Sequence, residues 1–338
     1  MKRFLLLTLI FLSFFCTHAQ VFWAKEFDLS LEPFFLKSHG TLNEIFYQSK
    51  APSKKRSLLE WQKDLFFYGL SIETKYKNFS LSTSFSSSFH EKSGKMYDSD
   101  WLNENDFSMK TTYSWGVNNA KENYNALLKI NYDIPLHKNF TIEPTAQFQY
   151  KYDSFYRKRG AQGRYAQAEY SSDGKDHWWY EDEAKVFPTE RYWSEEKQAF
   201  VRQGLAQIDY KSHSVFVWTG LNLNFYKDYF LLSLQGAVSP YMYLSSKDKH
   251  YNASDGTIYH LIQDDFFSAF KIALKNNIKL TKTFELTFLI EYISSLTIRG
   301  DLYYGWAKNH FQSSGASIEE KNASIGLKIN GISKSAKF

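Results

Sequence analysis

Two short runs carry side chains that could activate water. Met96-Tyr97-Asp98-Ser99-Asp100-Trp101 and Asp248-Lys249-His250-Tyr251 each place two ionisable groups at i and i+2. On an extended backbone, residues two apart point to one face. Asp98 and Asp100 can therefore share one wall of a cleft, and Asp248 and His250 another. A carboxylate beside a histidine orients and polarises the imidazole, leaving its other nitrogen as a base. Two close carboxylates cannot both ionise freely, so one keeps its proton to higher pH. Facing each other, the two pairs would hydrolyse a bond through water, with no serine or cysteine nucleophile. The same four groups could ligate a cation, but nothing in their spacing prefers it, and no metal is expected. Taken singly, each doublet reads as exposed turn chemistry. The chemistry depends on whether the rest of the chain brings the runs together.

Composition narrows what that framework is. The 338-residue chain carries 30 Phe, 24 Tyr and 9 Trp, with a net charge of only +5. Both signs are spread along it, which excludes the clustered basic face of a nucleic-acid binder. Lys2 and Arg3 precede an apolar run over 4–15, and Thr17-His18-Ala19 supplies a small-x-small cleavage site. Residues 1–19 therefore read as a signal peptide, and 20–338 as a single mature domain. Cys16, the only cysteine, leaves with the signal, so no disulfide is expected. No later apolar run approaches the roughly eighteen residues of a transmembrane helix.

The remaining signal is alternation. Phe79, Leu81, Thr83 and Phe85 interleave with Ser80, Ser82, Ser84, Ser86 and Ser88. Phe284, Leu286, Phe288, Ile290 and Tyr292 repeat the pattern, as do Val215, Val217, Thr219, Leu221, Leu223 and Phe225. Apolar-out, polar-in alternation in an aromatic-rich, exported chain is the pattern of an outer-membrane barrel. Short polar turns fall at Lys77-Asn78, His137-Lys138-Asn139, Lys227-Asp228 and Thr281-Lys282-Thr283. Long polar stretches lie near 38–56, 90–108, 158–198, 245–258 and 300–320. Four short turns and five long loops predict an all-β fold: a ten-stranded antiparallel transmembrane β-barrel with long extracellular loops. On that count Asp98 and Asp100 lie in the second long loop, and Asp248 and His250 in the fourth, on one external rim. Asp176-His177-Trp178-Trp179-Tyr180-Glu181-Asp182-Glu183 reads as part of a solvated loop, and the terminal Phe338 fits a barrel.

The two doublets, in this order, resemble the Asp-x-Asp-Trp and Asp-x-His-Tyr motifs of the omptin family. Gly40-Thr41-Leu42-Asn43-Glu44 followed by Ser57-Leu58-Leu59-Glu60-Trp61 is similar to that family as well. So is the stretch from Gly220-Leu221 through Phe225-Tyr226-Lys227-Asp228-Tyr229-Phe230. The resemblance implies an outer-membrane endopeptidase of aspartic type with its active site facing the exterior. Asp248 would orient His250, His250 and Asp98 would hold the water, and Asp100 would share charge or a proton with Asp98. Cleavage next to basic residues is implied, with Glu44 as one acid of the first specificity pocket. Ser246 stands where the second acid is expected, so the pull on Lys or Arg is weakened.

No cofactor is implied, but lipopolysaccharide or another outer-leaflet lipid is implied as an activator. Tyr152 and His213 stand where basic residues of that lipid site are expected. The expected partners are peptide or protein substrates and outer-membrane lipid, with the chain a monomer and no nucleic acid involved. A catalytically silent barrel acting as an adhesin or host-protein receptor is the alternative. Ser246 favours it, and the intact Asp98, Asp100, Asp248 and His250 oppose it. A small pore is the second rival, although ten strands leave a lumen that side chains largely fill.

Overall fold

The computed structural model describes residues 27–333 apart from 50, 52, 90–91, 103–109, 111, 158–162, 168, 171–175, 178–190, 195–198, 203–206, 252–256, 282–283 and 306–307. The signal peptide, the side chains of 176–183 and Phe338 lie outside the described residues. Ten strands form a closed antiparallel ring. They are β1 (Phe27–Tyr47), β2 (Lys55–Gln62 and Leu65–Tyr76), β3 (Phe79–Ser88 and Lys92–Asp100), β4 (Thr112–Tyr132) and β5 (Phe140–Arg157). Then follow β6 (Gln207–Lys227), β7 (Phe230–Tyr251), β8 (Thr257–Asp265 and Ala269–Lys279), β9 (Phe284–Ser295 and Ile298–Tyr304) and β10 (Asn309–Ser333). Each strand pairs with its sequence neighbours, and β10 closes on β1 from Leu29↔Ser333 to Phe46↔Ala316. Closure leaves no edge, which a strand needs if its backbone is to survive in hydrocarbon.

The predicted alternation decides which face each residue takes in the lower half. Leu221, Leu223 and Phe225 are exposed on the outer wall, as are Phe79, Phe85, Leu232 and Leu234. Ser80, Asn131, Asn222 and Asn224 are buried in the lumen. There Asn131 Nδ2 donates to Ser80 Oγ at 3.0 Å, and Asn222 Nδ2 to Glu143 Oε1 at 2.9 Å. The tight turns at Lys77-Asn78 and Asp228-Tyr229 put Lys77 (φ 52°) and Asp228 (φ 51°) in the left-handed region. The second turn sits one residue later than the sequence suggested.

The long stretches differ from expectation. Most of the described residues in 38–56, 90–108, 245–258 and 300–320 are strand, because β1, β3, β7, β8, β9 and β10 continue well past the apolar band. Asp98, Asp100, Asp248 and His250 therefore stand on strands and not in loops. The band's limit can be read on β7, where the outward series Phe230, Leu232, Leu234 and Val238 passes through Tyr241 and Tyr243 to Lys247 and Lys249. Asp248 is about 17 Å beyond Tyr243 along the strand, at roughly 3.3 Å per residue.

Two irregularities set up the upper barrel. In β7, Ser239 and Pro240 together oppose Trp218, a β-bulge between the pairs Thr219↔Val238 and Val217↔Tyr241. Below it Ser233, Gln235, Ala237 and Ser239 are buried; above it Met242, Leu244, Ser246 and Asp248 are. One extra residue has reversed the parity of the strand. Pro240 has no N–H to give a ladder, and Ser239 Oγ ties the bulge by donating to Val217 O (2.9 Å) or Tyr241 O (2.7 Å). Secondly, β2 breaks at Lys63-Asp64, and Lys63 N is held by Gly40 O at 2.8 Å. Gly40 is required there, since a Cβ would lie 2.1 Å from Lys321 O on β10.

The break turns Lys63 into the lumen, with its Nζ 2.8 Å from Asp153 Oδ2 and 2.7 Å from Glu320 Oε1. Lys151 pairs with the same Glu320 oxygen. Near this buried cluster, Trp61 packs on Phe155 and Tyr210 with ring centroids at 6.1 and 5.5 Å. Leu42, Leu59, Met96, Ile208 and Ile318 complete that apolar layer.

Candidate active site

Strand register brings the sequence-predicted residues into one part of the upper lumen. Glu44 on β1 pairs with Leu59, Leu59 with Asp98 on β3, and Asp98 with Ser114 on β4. Further round the wall, Arg157 on β5 pairs with Ile208 on β6, and Ile208 with His250 on β7. Asp248 lies opposite Tyr210, and Ser246 opposite Ser212. Asp100 follows two residues beyond Asp98, opposite Ser57 and Thr112.

His250 Nε2 is hydrogen-bonded to Asp248 Oδ2. The Asp248 side chain is wholly buried, whereas those of His250 and Asp98 keep 20% and 19% exposure, enough for water to reach them. Burial alone would lower the His250 imidazole. The Asp248 carboxylate outweighs it through charge and hydrogen bond, Asp98 adds to this, and the imidazole rises to about 9. Burial raises Asp98 to about 6, the Asp100 charge adding to it, while the Arg157 and His250 charges pull it back. Near neutral pH a carboxylate and an imidazolium thus share the site, each acting on the other's ionisation.

On the side toward β1, Ser246 Oγ donates to Glu44 Oε1 at 2.8 Å across the lumen. Burial pushes the Glu44 carboxyl well above the usual range, and the Asp248 charge adds to this while the Ser246 hydrogen bond opposes it. Glu44 Oε2 and Asp248 Oδ1 are buried with no hydrogen-bond partner among the described residues. Buried orphan atoms of this kind are costly and mark where donors of a bound group would be received.

One member of the site is absent from the sequence reading. Arg157 is 1% exposed, its Nη1 donates to Ser114 Oγ at 3.1 Å, and its Nη2 stands 3.7 Å from Asp98 Oδ2. The signal for it was the inward series Lys151, Asp153, Phe155, which leads by steps of two to Arg157. Among the described residues, no group of three His, Cys, Asp or Glu side chains is arranged to hold a metal ion. On the outer wall, Tyr152 and His213 belong to an aromatic patch. Tyr150 Oη is 2.8 Å from His213 Nδ1, and the Tyr152 ring lies 4.9 Å from His213 and 5.9 Å from Tyr124.

Compared with known proteins, residues 35–330 match the model of the Omptin family. The comparison with curated protein sequences found no match. Among solved structures, the outer membrane protease OmpT from Escherichia coli superposes with a TM-score of 0.74 at 16% identity, covering 92% of this chain and 99% of that one. The translocator domain of the autotransporter NalP from Neisseria meningitidis is far less similar, with a TM-score of 0.31 at 10% identity over 90% of this chain and 88% of that one.

Proposed function

The chain belongs to the omptin family of outer-membrane β-barrels, and from this and the geometry of the upper lumen we propose that it is an endopeptidase. Its substrates are peptides and exposed proteins, cut beside a basic residue at a site open to the cell exterior. The observation that supports the reading is that Asp98 from β3 and the hydrogen-bonded Asp248–His250 pair from β7 lie in one upper lumen, close enough for the charges of Asp98 and His250 to act on each other. A water held between Asp98 and His250 gives a proton to Asp98 as its oxygen adds to the peptide carbonyl. The imidazolium of His250 gives a proton to the departing amine. Asp248 keeps the ring oriented, and Asp100 raises the basicity of Asp98. No step requires a metal, and lipid from the outer leaflet acts as an activator of the folded barrel.

Glu44 favours a basic residue before the cut, because an incoming ammonium or guanidinium would restore its buried carboxylate. Ser246, in place of a second acid, makes that preference weaker than two carboxylates would. Cleavage of a mixed peptide library by the refolded protein, with and without lipopolysaccharide, tests this beside Asp98→Ala and His250→Ala. Cuts after Lys or Arg that fall by orders of magnitude in both variants are expected. An intact barrel that cuts nothing under any lipid condition would instead point to the adhesin or receptor.

A further inference from the structure

Arg157 stands between the two halves of the site. Round the wall from β3 to β7 the inward residues run Asp98, Ser114, Arg157, Ile208, His250, each in register with or bonded to the next. Its guanidinium donates to Ser114 and comes to 3.7 Å from Asp98, longer than a closed ion-pair hydrogen bond. When water held by Asp98 adds to a carbonyl, the new hydroxyl and the oxyanion sit on the same tetrahedral carbon. A donor close to the base is therefore within reach of the oxyanion as well.

Resting on the peptidase reading, we propose that Arg157 is a further catalytic residue, whose guanidinium binds the oxyanion of the tetrahedral intermediate. The water oxygen bonds to the carbonyl carbon, its proton passes to Asp98, and the carbonyl π pair moves to the oxygen facing Arg157. Collapse returns that pair, the carbon–nitrogen bond breaks, and the amine leaves with a proton from His250. Arg157 neither gains nor loses a proton. Its second effect is on ionisation: its charge pulls Asp98 down against the burial that raises it. The two roles make different demands on an experiment.

The test compares wild type with Arg157→Gln, Arg157→Lys and the milder Ser114→Ala, which loosens the anchor without removing the charge. The readouts are kcat and KM across pH, and inhibition by a peptide phosphonate, which carries a tetrahedral anion where the scissile carbonyl would be. Arg157→Gln should lower kcat by roughly 100- to 1,000-fold with little change in KM. Its phosphonate affinity should fall by a similar factor. Arg157→Lys should recover part of both losses, and Ser114→Ala should show a smaller loss of each. Unchanged phosphonate affinity, or full recovery of Arg157→Gln at higher pH, would overturn the proposal and leave Arg157 acting only through Asp98. A wild-type protein that cleaves nothing would overturn the peptidase reading and this proposal with it. Wild-type cleavage matched by Arg157→Gln would overturn this proposal alone.

Discussion

Ser246 on β7 reaches across the lumen to Glu44 on β1, its hydroxyl 2.8 Å from Oε1. The hydrogen bond engages one oxygen of Glu44, the carboxylate proposed to receive the basic residue of a substrate. A guanidinium with a two-oxygen grip would have to share Oε1 with Ser246, whereas an ammonium can use the remaining oxygen alone.

Substitutions at these two positions should move specificity in opposite directions. Ser246→Asp is expected to raise kcat/KM for Arg-containing peptides by about 10- to 100-fold, the worth of an added charge-assisted hydrogen bond. Glu44→Gln should abolish the preference for basic over neutral residues. Competition between matched Lys, Arg and Gln peptides reads both outcomes.

The rate should depend on pH as a bell. Asp98 must have lost its proton and the pair must retain one, so the limbs of kcat/KM are expected near 6 and near 9. Asp248→Asn removes the charge that holds the His250 proton and should move the alkaline limb down.

The same ionisations make a stability prediction. His250 binds its proton more tightly in the folded barrel than in the unfolded chain, so its contribution is complete below the ordinary imidazole range. It is lost as pH rises toward 9. Asp98 is also raised, so folding gains from its protonated form, and that gain fades as pH climbs through about 6. Thermal unfolding in detergent should show the alkaline loss in wild type, and His250→Asn should flatten it.

Lys63 offers a test of the buried layer below the site. Replacing it with Met leaves Asp153 and Glu320 in the lumen with less positive charge, at an expected cost of about 3–5 kcal/mol. Adding Glu320→Gln and Asp153→Asn should recover much of that loss. A fall in unfolding temperature for the single variant, smaller in the triple, is the measurement.

The lower barrel was legible because lipid on one side and packed polar groups on the other force alternation, as Phe79-Ser80 through Phe85-Ser86 shows. Above the band that contrast ends. Lys247 and Lys249 face outward while Ser246 and Asp248 face inward, and with both sides polar the strands read as loops. The pairing of residues at i and i+2 needed only extended backbone, so it described geometry that the loop assignment missed. Arg157 is hidden in the sequence because a long polar stretch begins at 158, one residue past the side chain that the inward series reaches. The hydrogen bond between Ser246 and Glu44 was beyond the sequence, since it depends on how far apart two opposite walls stand.

The bulge at Ser239-Pro240 means that the upper part of β7 carries two interleaved messages, only one of which is delivered to the lumen. Ser246, Asp248 and His250 form one; Ser245, Lys247 and Lys249 form the other. Deleting Pro240 alone would act like a frameshift in three dimensions, exchanging an acid–imidazole pair for two lysines without altering any residue beyond it. In such a wall, short insertions and deletions are chemical changes of the first order, and a lineage could trade catalysis for anion binding in a single step.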